Sequence, residues 1–230
     1  YAWELYNLRD DYSQAHDLAA SNPKKLAELK QAWDEQARAN KVYPLDNSLT
    51  PARVTAEARA RVPDRQSYVY WGSGVDLERG NMPPILRKSY RLTASVDIPP
   101  GGGSGVLAAV GDRFAGWSFY LKDGVPMVTE AYSDQPQHHF RLSGDKPVPP
   151  GPAQITYDVT YASDSPAVDV AVSINGTPAG STRFPNRIFM IDQGESFAIG
   201  RDLYARVTED YEGNGVFNGA IGKVEVDFGK

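Results

Sequence analysis

The sequence contains no cysteine among its 230 residues and only three histidines. Without cysteine there is no disulfide framework, no thiolate zinc site and no cysteine nucleophile. Basic residues do not exceed acidic ones. The 24 Lys and Arg against 29 Asp and Glu give a formal net charge of −5, which disfavours nucleic acid or an anionic membrane surface as a partner. No apolar run approaches the roughly 18 residues that a membrane-spanning helix needs, so we expect no transmembrane segment.

Glycine and proline are abundant instead, with 21 and 17 residues, and they accompany 13 Tyr, 8 Phe and 4 Trp. This combination of turn formers and core side chains favours a folded chain with many tight turns over a disordered one. A length of 230 residues allows one large domain or one domain with an appendage. Because the sequence starts at Tyr1, we expect a signal peptide or a whole domain to precede it, which leaves the compartment open.

Residues 1–46 differ from the rest of the chain and predict one strand followed by one helix. The apolar run at residues 3–8 suits a short strand. Asn22 suits the N-cap of a helix and Pro23 its first position, since proline lacks the N–H that would be unpaired there. One strand and one helix cannot enclose a core, so we expect this segment to pack on a larger body. The apolar stripe of the helix consists of Leu26, Leu29, Trp33 and Ala37.

Residues 47–67 are rich in proline, alanine and arginine and are predicted to be a linker. Over residues 68–230 the hydrophobic period becomes two, which is typical of strands with one buried face. Asp123-Gly124 and Asn175-Gly176 are typical two-residue hairpin turns, and Gly222 suits a β-bulge. About ten or more short strands without intervening helices predict a mainly β fold, an antiparallel two-sheet sandwich of the jelly-roll type. The clearest strands lie at residues 90–98, 106–110, 117–121, 155–161, 168–174, 197–199 and 224–228.

The beginning of the chain resembles the C-terminal end of the sulfatase family. The similarity is carried by residues 3–8 (WELYNL), Asp11, Ser13, residues 16–19 (HDLA) and residues 22–29 (NPKKLAEL). Tyr12 and Gln14 depart from the family pattern, where proline and glutamate are common. In that family the segment forms an edge strand and a helix of a small C-terminal subdomain. The resemblance implies that residues 1–46 belong to such a subdomain and that the catalytic sulfatase domain of the same polypeptide is their partner.

The end of the chain is similar to the closing strands of concanavalin-A-like and laminin-G-like sandwiches. The matching segments are residues 197–202 (FAIGRD) and residues 217–224 (FNGAIGKV). Phe217 and Ile221 are expected to be buried, while Gly219 permits a close backbone approach. Together the two resemblances imply the C-terminal region of a bacterial arylsulfatase that carries a sandwich after its catalytic domain, in the periplasm or the cytoplasm.

The catalytic parts of a sulfatase are not found in this sequence. The family hydrolyses sulfate esters with a formylglycine, made within a Cys/Ser-x-Pro-x-Arg motif, and with Ca²⁺ or Mg²⁺. Residues 21–25 end in lysine and are predicted to cap the helix, and residues 49–53 have leucine at the nucleophile position. Asp10-Asp11 imitates the family's metal-binding aspartates, but a turn is the better interpretation because no further carboxylates stand nearby. The resemblance assigns formylglycine and the cation to the parent enzyme, and no catalytic residue to this chain.

Two other sets of side chains are candidates for binding a metal ion, and neither has the arrangement that a metal site requires. His138 and His139 would point to opposite faces of a strand, so they cannot chelate one ion without a bulge. The acidic loop before the last strand offers hard oxygen ligands for Ca²⁺, with Asp202 and Asp210 as candidates, but it lacks the glycine spacing of a dedicated calcium loop. We therefore predict a solvated loop and no metal site.

Four aromatic residues are the candidates for ligand binding: Trp71, Tyr120, Tyr132 and Tyr211. Exposed on a concave sheet face, their rings can stack on sugar or aryl rings, as in lectin-like sandwiches. The competing interpretation is that these side chains fill the core.

Three functional hypotheses remain open. In the first, the chain is the non-catalytic C-terminal portion of an arylsulfatase, with a structural role or a role at the substrate entrance, and is inactive alone. In the second, it is a carbohydrate-binding module that targets sulfated glycans. The third, a free-standing glycan-active enzyme, requires two facing carboxylates about 5 to 9.5 Å apart, and no predicted strand carries such a pattern.

Overall fold

The structure is a computed structural model, and it describes residues 2–43, 45, 65–86, 88–162, 164–188, 190–192 and 194–229. The chain divides into two compact units, residues 1–63 and residues 64–230. Most of the predicted linker at residues 47–67 lies outside the described residues, as does the motif at residues 49–53. The described residues include no helix with the length and apolar character needed to cross a bilayer.

The first unit contains one helix, α1 (Pro23–Ala39), which confirms the predicted helix and its proline start. Asn22 stands at the N-cap position, but its side chain makes no capping hydrogen bond. Its amide donates to the Ser21 hydroxyl at 3.0 Å instead. The helix start therefore depends on Pro23, whose missing N–H needs no partner there, rather than on a side-chain cap.

The strand predicted at residues 3–8 is wrong, because these residues have no regular secondary structure. The Leu5 N–H donates to the Asp17 carboxylate at 2.9 Å, and the Leu18 N–H donates to the Leu5 carbonyl at 2.7 Å. A strand requires a hydrogen-bonded neighbour along its length, and the described part of this unit has no second strand. Asp11 accepts two backbone N–H groups four and five residues later, which confirms the turn interpretation of Asp10-Asp11.

The second unit is a sandwich of two six-stranded antiparallel sheets, as predicted. The first sheet has the strand order β1-β12-β3-β8-β9-β10, and the second sheet has the order β2-β11-β4-β5-β6-β7. The strands are β1 (Ser67–Trp71), β2 (Asp76–Glu78), β3 (Tyr90–Ile98), β4 (Gly105–Gly111), β5 (Gly116–Lys122), β6 (Val125–Ala131), β7 (His139–Ser143), β8 (Gly151–Tyr161), β9 (Val168–Ile174), β10 (Thr177–Phe184), β11 (Ser196–Ile199) and β12 (Ala220–Asp227).

The core lies between the inner faces of the two sheets and has an aromatic centre. Trp117 from β5 packs edge-on against Tyr157 from β8, with 5.6 Å between ring centroids, so the two sheets meet directly. Phe119 approaches the same tyrosine at 5.5 Å. All three side chains are buried. Aromatic contacts of this kind add to the stabilisation that comes from burying their large apolar surfaces.

The predicted turns and the predicted bulge are confirmed. Asp123 and Gly124 have φ values of 51° and 79°, and Asn175 and Gly176 have φ values of 49° and 76°. Positive φ at both central residues is the requirement of the hairpin turns that match the twist of the strands. The register between β12 and β3 shifts around Gly222, which restores the inward direction of the side chains that follow.

One carboxyl group is buried in this core. Glu130 of β6 is 3% exposed and lies opposite Trp117 on β5. It accepts hydrogen bonds from the Tyr132 hydroxyl at 2.8 Å and from the Tyr157 hydroxyl at 3.1 Å. Burial raises the pKa of Glu130 to about 7, because the charged form loses its hydration, and the two tyrosine hydrogen bonds only partly oppose that rise.

Candidate functional site

A loop covers the outer face of the second sheet. Residues 200–216, between β11 and β12, fold back across the sheet and are called the covering loop below. The Tyr211 hydroxyl lies 2.9 Å from Ser118 Oγ of β5, and the Tyr211 ring packs edge-on against Tyr120 with 5.3 Å between centroids. The loop is therefore fixed to the sheet through a separate small apolar cluster, which comprises Val106, Ala109, Met127, Tyr120 and Tyr211.

Asp210 of the covering loop is bound by protein groups. It accepts a hydrogen bond from the Tyr120 hydroxyl and another from Lys122 Nζ at 3.0 Å, and Arg141 lies 3.5 Å away. Desolvation acts to raise its pKa, but the hydrogen bonds from Tyr120 and Lys122 outweigh it and hold the pKa of Asp210 below its ordinary value. The carboxylate thus anchors the loop to β5 and β7.

Asp202, the other metal candidate, is 1% exposed. It accepts hydrogen bonds from the Tyr211 hydroxyl and from the Val207 backbone N–H, the latter at 2.9 Å. Burial raises the pKa of Asp202 to about 6. Within the described ranges, no group of three or more His, Cys, Asp or Glu side chains is placed to hold a metal ion. The loop that the sequence predicts to be solvated is instead partly buried, because these two aspartates turn inward.

The four aromatic candidates differ in exposure. Tyr120 is fully buried beneath the covering loop, so the exposure predicted for it is wrong, and Tyr211, which belongs to that loop, is half-buried. Tyr132 is also half-buried, packs against Phe140 at 5.5 Å and donates to Glu130. Trp71 is 75% exposed. Of the four rings, Trp71 offers an open face for stacking.

Trp71 ends the edge strand β1 and begins a row of side chains across the outer face of the first sheet. It lies directly opposite Lys223 on β12, which lies opposite Ser95 on β3, which lies opposite Gln154 on β8. Directly opposed residues project from the same face of a sheet. With strands about 4.8 Å apart, this Trp71 row extends about 14 Å. It is long enough for more than one sugar ring.

A shallow groove follows the far end of the row. Its volume is about 470 Å³, and its polar lining includes Ser95, Asp97, Gln154 and Asn175. The Gln154 backbone N–H donates to the Asn175 side chain at 2.8 Å, which fixes the turn at the groove's end. Side-chain amide, hydroxyl and carboxylate groups supply both donors and acceptors, the combination that hydroxyl-rich ligands require.

A second polar cavity lies on the opposite sheet, beside the covering loop. Its volume is about 330 Å³. It contains three arginines from separate elements: Arg113 from the β4–β5 turn, Arg141 from β7 and Arg206 from the covering loop. We call it the arginine pocket. No sequence pattern predicts this pocket, because the three arginines are far apart in the chain.

The histidine pair is not part of a single strand, contrary to the prediction. His138 ends a 3₁₀ turn (Pro136–His138), and His139 begins β7. His138 Nδ1 lies 2.7 Å from the Ser133 hydroxyl, and His139 Nε2 lies 2.8 Å from the Ser133 carbonyl oxygen. Both rings therefore stabilise the connection that leads into β7.

A larger cavity, about 750 Å³, lies beside β2 and β11 and is lined in part by Glu78 and Glu195. Burial raises the pKa of Glu195 to about 7, with smaller contributions from Asp112, Asp202 and Asp192. Glu78 is not among the groups that shift this pKa.

No protein-family model and no curated protein matches the sequence. Solved structures do match. The CBM40 of the Ruminococcus gnavus IT-sialidase bound to alpha2,3 sialyllactose aligns with a TM-score of 0.50 and 12% identity, over 70% of this chain and 90% of that one. NanB with Optactamide aligns with a TM-score of 0.50 and 11% identity, over 70% of this chain and 26% of that one. The likeness establishes the fold. Residues 64–230 form a concanavalin-A-like β-sandwich, as predicted from the closing strands.

Proposed function

We propose that residues 64–230 are a non-catalytic carbohydrate-binding domain. The observation that carries the proposal is the exposed ring of Trp71 at the end of a polar row on the outer face of the first sheet. Stacking the exposed indole face on the apolar face of a sugar removes apolar surface from water and so favours binding, while nearby polar side chains bind the sugar hydroxyls. The CBM40 neighbour has sialyllactose bound, so the same fold presents a glycan site in another protein.

Replacing Trp71 with alanine is expected to weaken glycan binding at least ten-fold. The substitution removes the stacking surface but leaves the main-chain pairing of β1 in place. A glycan array identifies ligands of the native chain, and isothermal titration calorimetry then compares the variant. Val69→Ala is the matched control, since Val69 lies on the same outer face of β1 and is 42% exposed. No glycan binding at millimolar ligand, or equal affinity in the native chain and Trp71→Ala, would remove the proposal.

We further propose that the domain is the C-terminal accessory portion of an arylsulfatase. The sequence resemblance over residues 3–29 is the basis of this assignment. The stripe of α1 adds support, because Leu29 and Trp33 are 44% and 42% exposed and so offer an apolar face to a catalytic domain of the same polypeptide. Formylglycine and Ca²⁺ or Mg²⁺ would belong to that catalytic domain. The sandwich would brace it or bring it to a glycan substrate.

The chain alone is expected to show no turnover of an aryl sulfate in the presence of Ca²⁺ or Mg²⁺, since the described residues hold neither the nucleophile motif nor a metal cluster. A colorimetric assay against a heat-treated control measures this. The coding sequence upstream of Tyr1 provides the complementary test. A Cys/Ser-x-Pro-x-Arg motif there is the expected result, while sulfatase activity of this chain, or an upstream region without the motif, would contradict the assignment.

A further inference from the structure

We infer that the arginine pocket binds an oxyanion carried by a saccharide, either a carboxylate or a sulfate ester. The pocket lies on the second sheet, whereas the Trp71 row lies on the first sheet. The saccharide part of this inference rests on the proposed function. The oxyanion part rests on the pocket alone, so the two can fail separately.

The charge of the pocket differs from that of the chain as a whole. Three guanidinium groups line it, and the carboxylates in its lining are Asp134 and Glu209. The lining therefore carries one positive charge in excess, although the chain carries a formal net charge of −5. Asp210 lies 3.5 Å from Arg141 outside this lining, but Lys122 pairs with it at 3.0 Å, so the excess stays the same when both are counted. A local positive excess in a cavity attracts anions, because the concave protein surface focuses the field.

Two of the arginines are held in place by the fold. Arg206 donates to the Tyr211 carbonyl at 2.8 Å and pairs with Glu209. Arg141 donates to the Thr208 hydroxyl at 3.2 Å and lies 3.5 Å from the Asp210 carboxylate. Each guanidinium has five N–H donors, and these contacts occupy only part of each set. The remaining donors are positioned before any ligand arrives, which reduces the entropy cost of binding.

Arg113 has the weakest attachment of the three. Its one partner among the described residues is Glu209, at 3.8 Å, a distance beyond hydrogen bonding. About half of the Arg113 side chain is exposed, as is about two thirds of the Glu209 side chain. An oxyanion can displace Glu209 and accept a bidentate pair of hydrogen bonds from Arg113. A guanidinium offers this geometry to carboxylates and to tetrahedral oxyanions.

The size of the cavity favours one sugar residue with its anionic group. A volume of about 330 Å³ is at the lower end of the range for small-molecule sites. Thr208 and His139 also line it. A long polyanion such as nucleic acid would meet the negative charge of the rest of the surface, so a saccharide with isolated charges suits the pocket better.

The test is a calorimetric titration of the full chain with three tetrasaccharides: chondroitin 4-sulfate, unsulfated chondroitin and neutral cellotetraose. Arg113→Ala is the test variant, because this side chain contributes least to holding the loop. Arg183→Ala is the matched control, since Arg183 is about as exposed and pairs with Asp169 outside the pocket. Thermal unfolding of each variant verifies that it is folded.

The expected result is that Arg113→Ala weakens binding of the charged ligands at least ten-fold and that Arg183→Ala leaves it unchanged. Affinity for the charged ligands should also fall as salt is raised. Binding of chondroitin 4-sulfate but not of unsulfated chondroitin assigns the site to sulfate esters, and comparable binding of both assigns it to carboxylates. Charged ligands that bind no better than cellotetraose, or that bind Arg113→Ala with native affinity, would overturn the inference. If Trp71→Ala loses binding of cellotetraose only, the result concerns the Trp71 row and does not contradict the inference about the arginine pocket.

Discussion

Replacing Gly105 with alanine is expected to lower the free energy of unfolding by about 3 to 5 kcal/mol. Gly105 has a φ of +108°, which side chains rarely adopt. An added Cβ would lie 2.6 Å from the Val216 carbonyl oxygen and 2.7 Å from the Phe217 Cα. Both atoms belong to the backbone, so no side-chain rotation can relieve the clash. The end of the covering loop must move away from β4, and chemical denaturation measures the cost.

Gly102→Ala is the matched control for this prediction. Gly102 has a φ of +93°, but an added Cβ meets nothing within 4 Å. It therefore reports the cost of the backbone conformation alone, about 1 to 2 kcal/mol. A Gly105→Ala variant no less stable than Gly102→Ala would show that the loop is not packed on β4 as described. Since the loop carries Arg206, the same variant should also lose binding at the arginine pocket.

Replacing Glu130 with glutamine is expected to raise the free energy of unfolding above neutral pH by about 3 kcal/mol, which corresponds to the shift of its pKa from 4.5 to about 7. Below pH 4.5 the carboxyl group is neutral in both the folded and the unfolded chain. Between pH 4.5 and about 7 the unfolded chain ionises first, so the native protein loses stability as pH rises. Glutamine remains neutral and can still accept the Tyr157 hydrogen bond.

Urea unfolding at pH 4.5, 6 and 8 checks this expectation. The native chain should lose stability across the series and Glu130→Gln should lose less. Part of the slope should persist, because the pKa of Glu195 is also raised to about 7 and that of Asp202 to about 6. Glu212→Gln, an exposed glutamate of the covering loop, serves as the control and should follow the native curve. Parallel curves for native and Glu130→Gln would mean that the carboxyl group is not desolvated in the core.

The sandwich is predictable from the sequence because its local signals agree. Alternation over β3 and the paired hairpin residues at 123–124 and 175–176 point to the same antiparallel architecture. Two other strands lack such signals. β2 has three residues, and β10 interrupts its polar sequence with Pro178 and Gly180. Their pairing depends on neighbouring strands rather than on their own pattern.

The candidate sites are less predictable than the fold. Tyr120 alternates as an outward-facing residue on β5, which is correct, but the covering loop that buries it comes from a distant part of the chain. The arginine pocket has the same origin, because Arg113, Arg141 and Arg206 meet through tertiary contacts alone. Trp71 retains its predicted role as a candidate because β1 is an edge strand with an uncovered outer face.

The position of β12 between β1 and β3 has a consequence for biosynthesis. Ser67 of β1 is paired with Asp227 of β12, so the first sheet gains its β1 edge only after the ribosome has made nearly the whole domain. Such distant pairings favour slow folding after synthesis over folding during it. Until β12 arrives, the inner face of β1 and the neighbouring edge of β3 are unpaired, which exposes the nascent protein to aggregation through that edge.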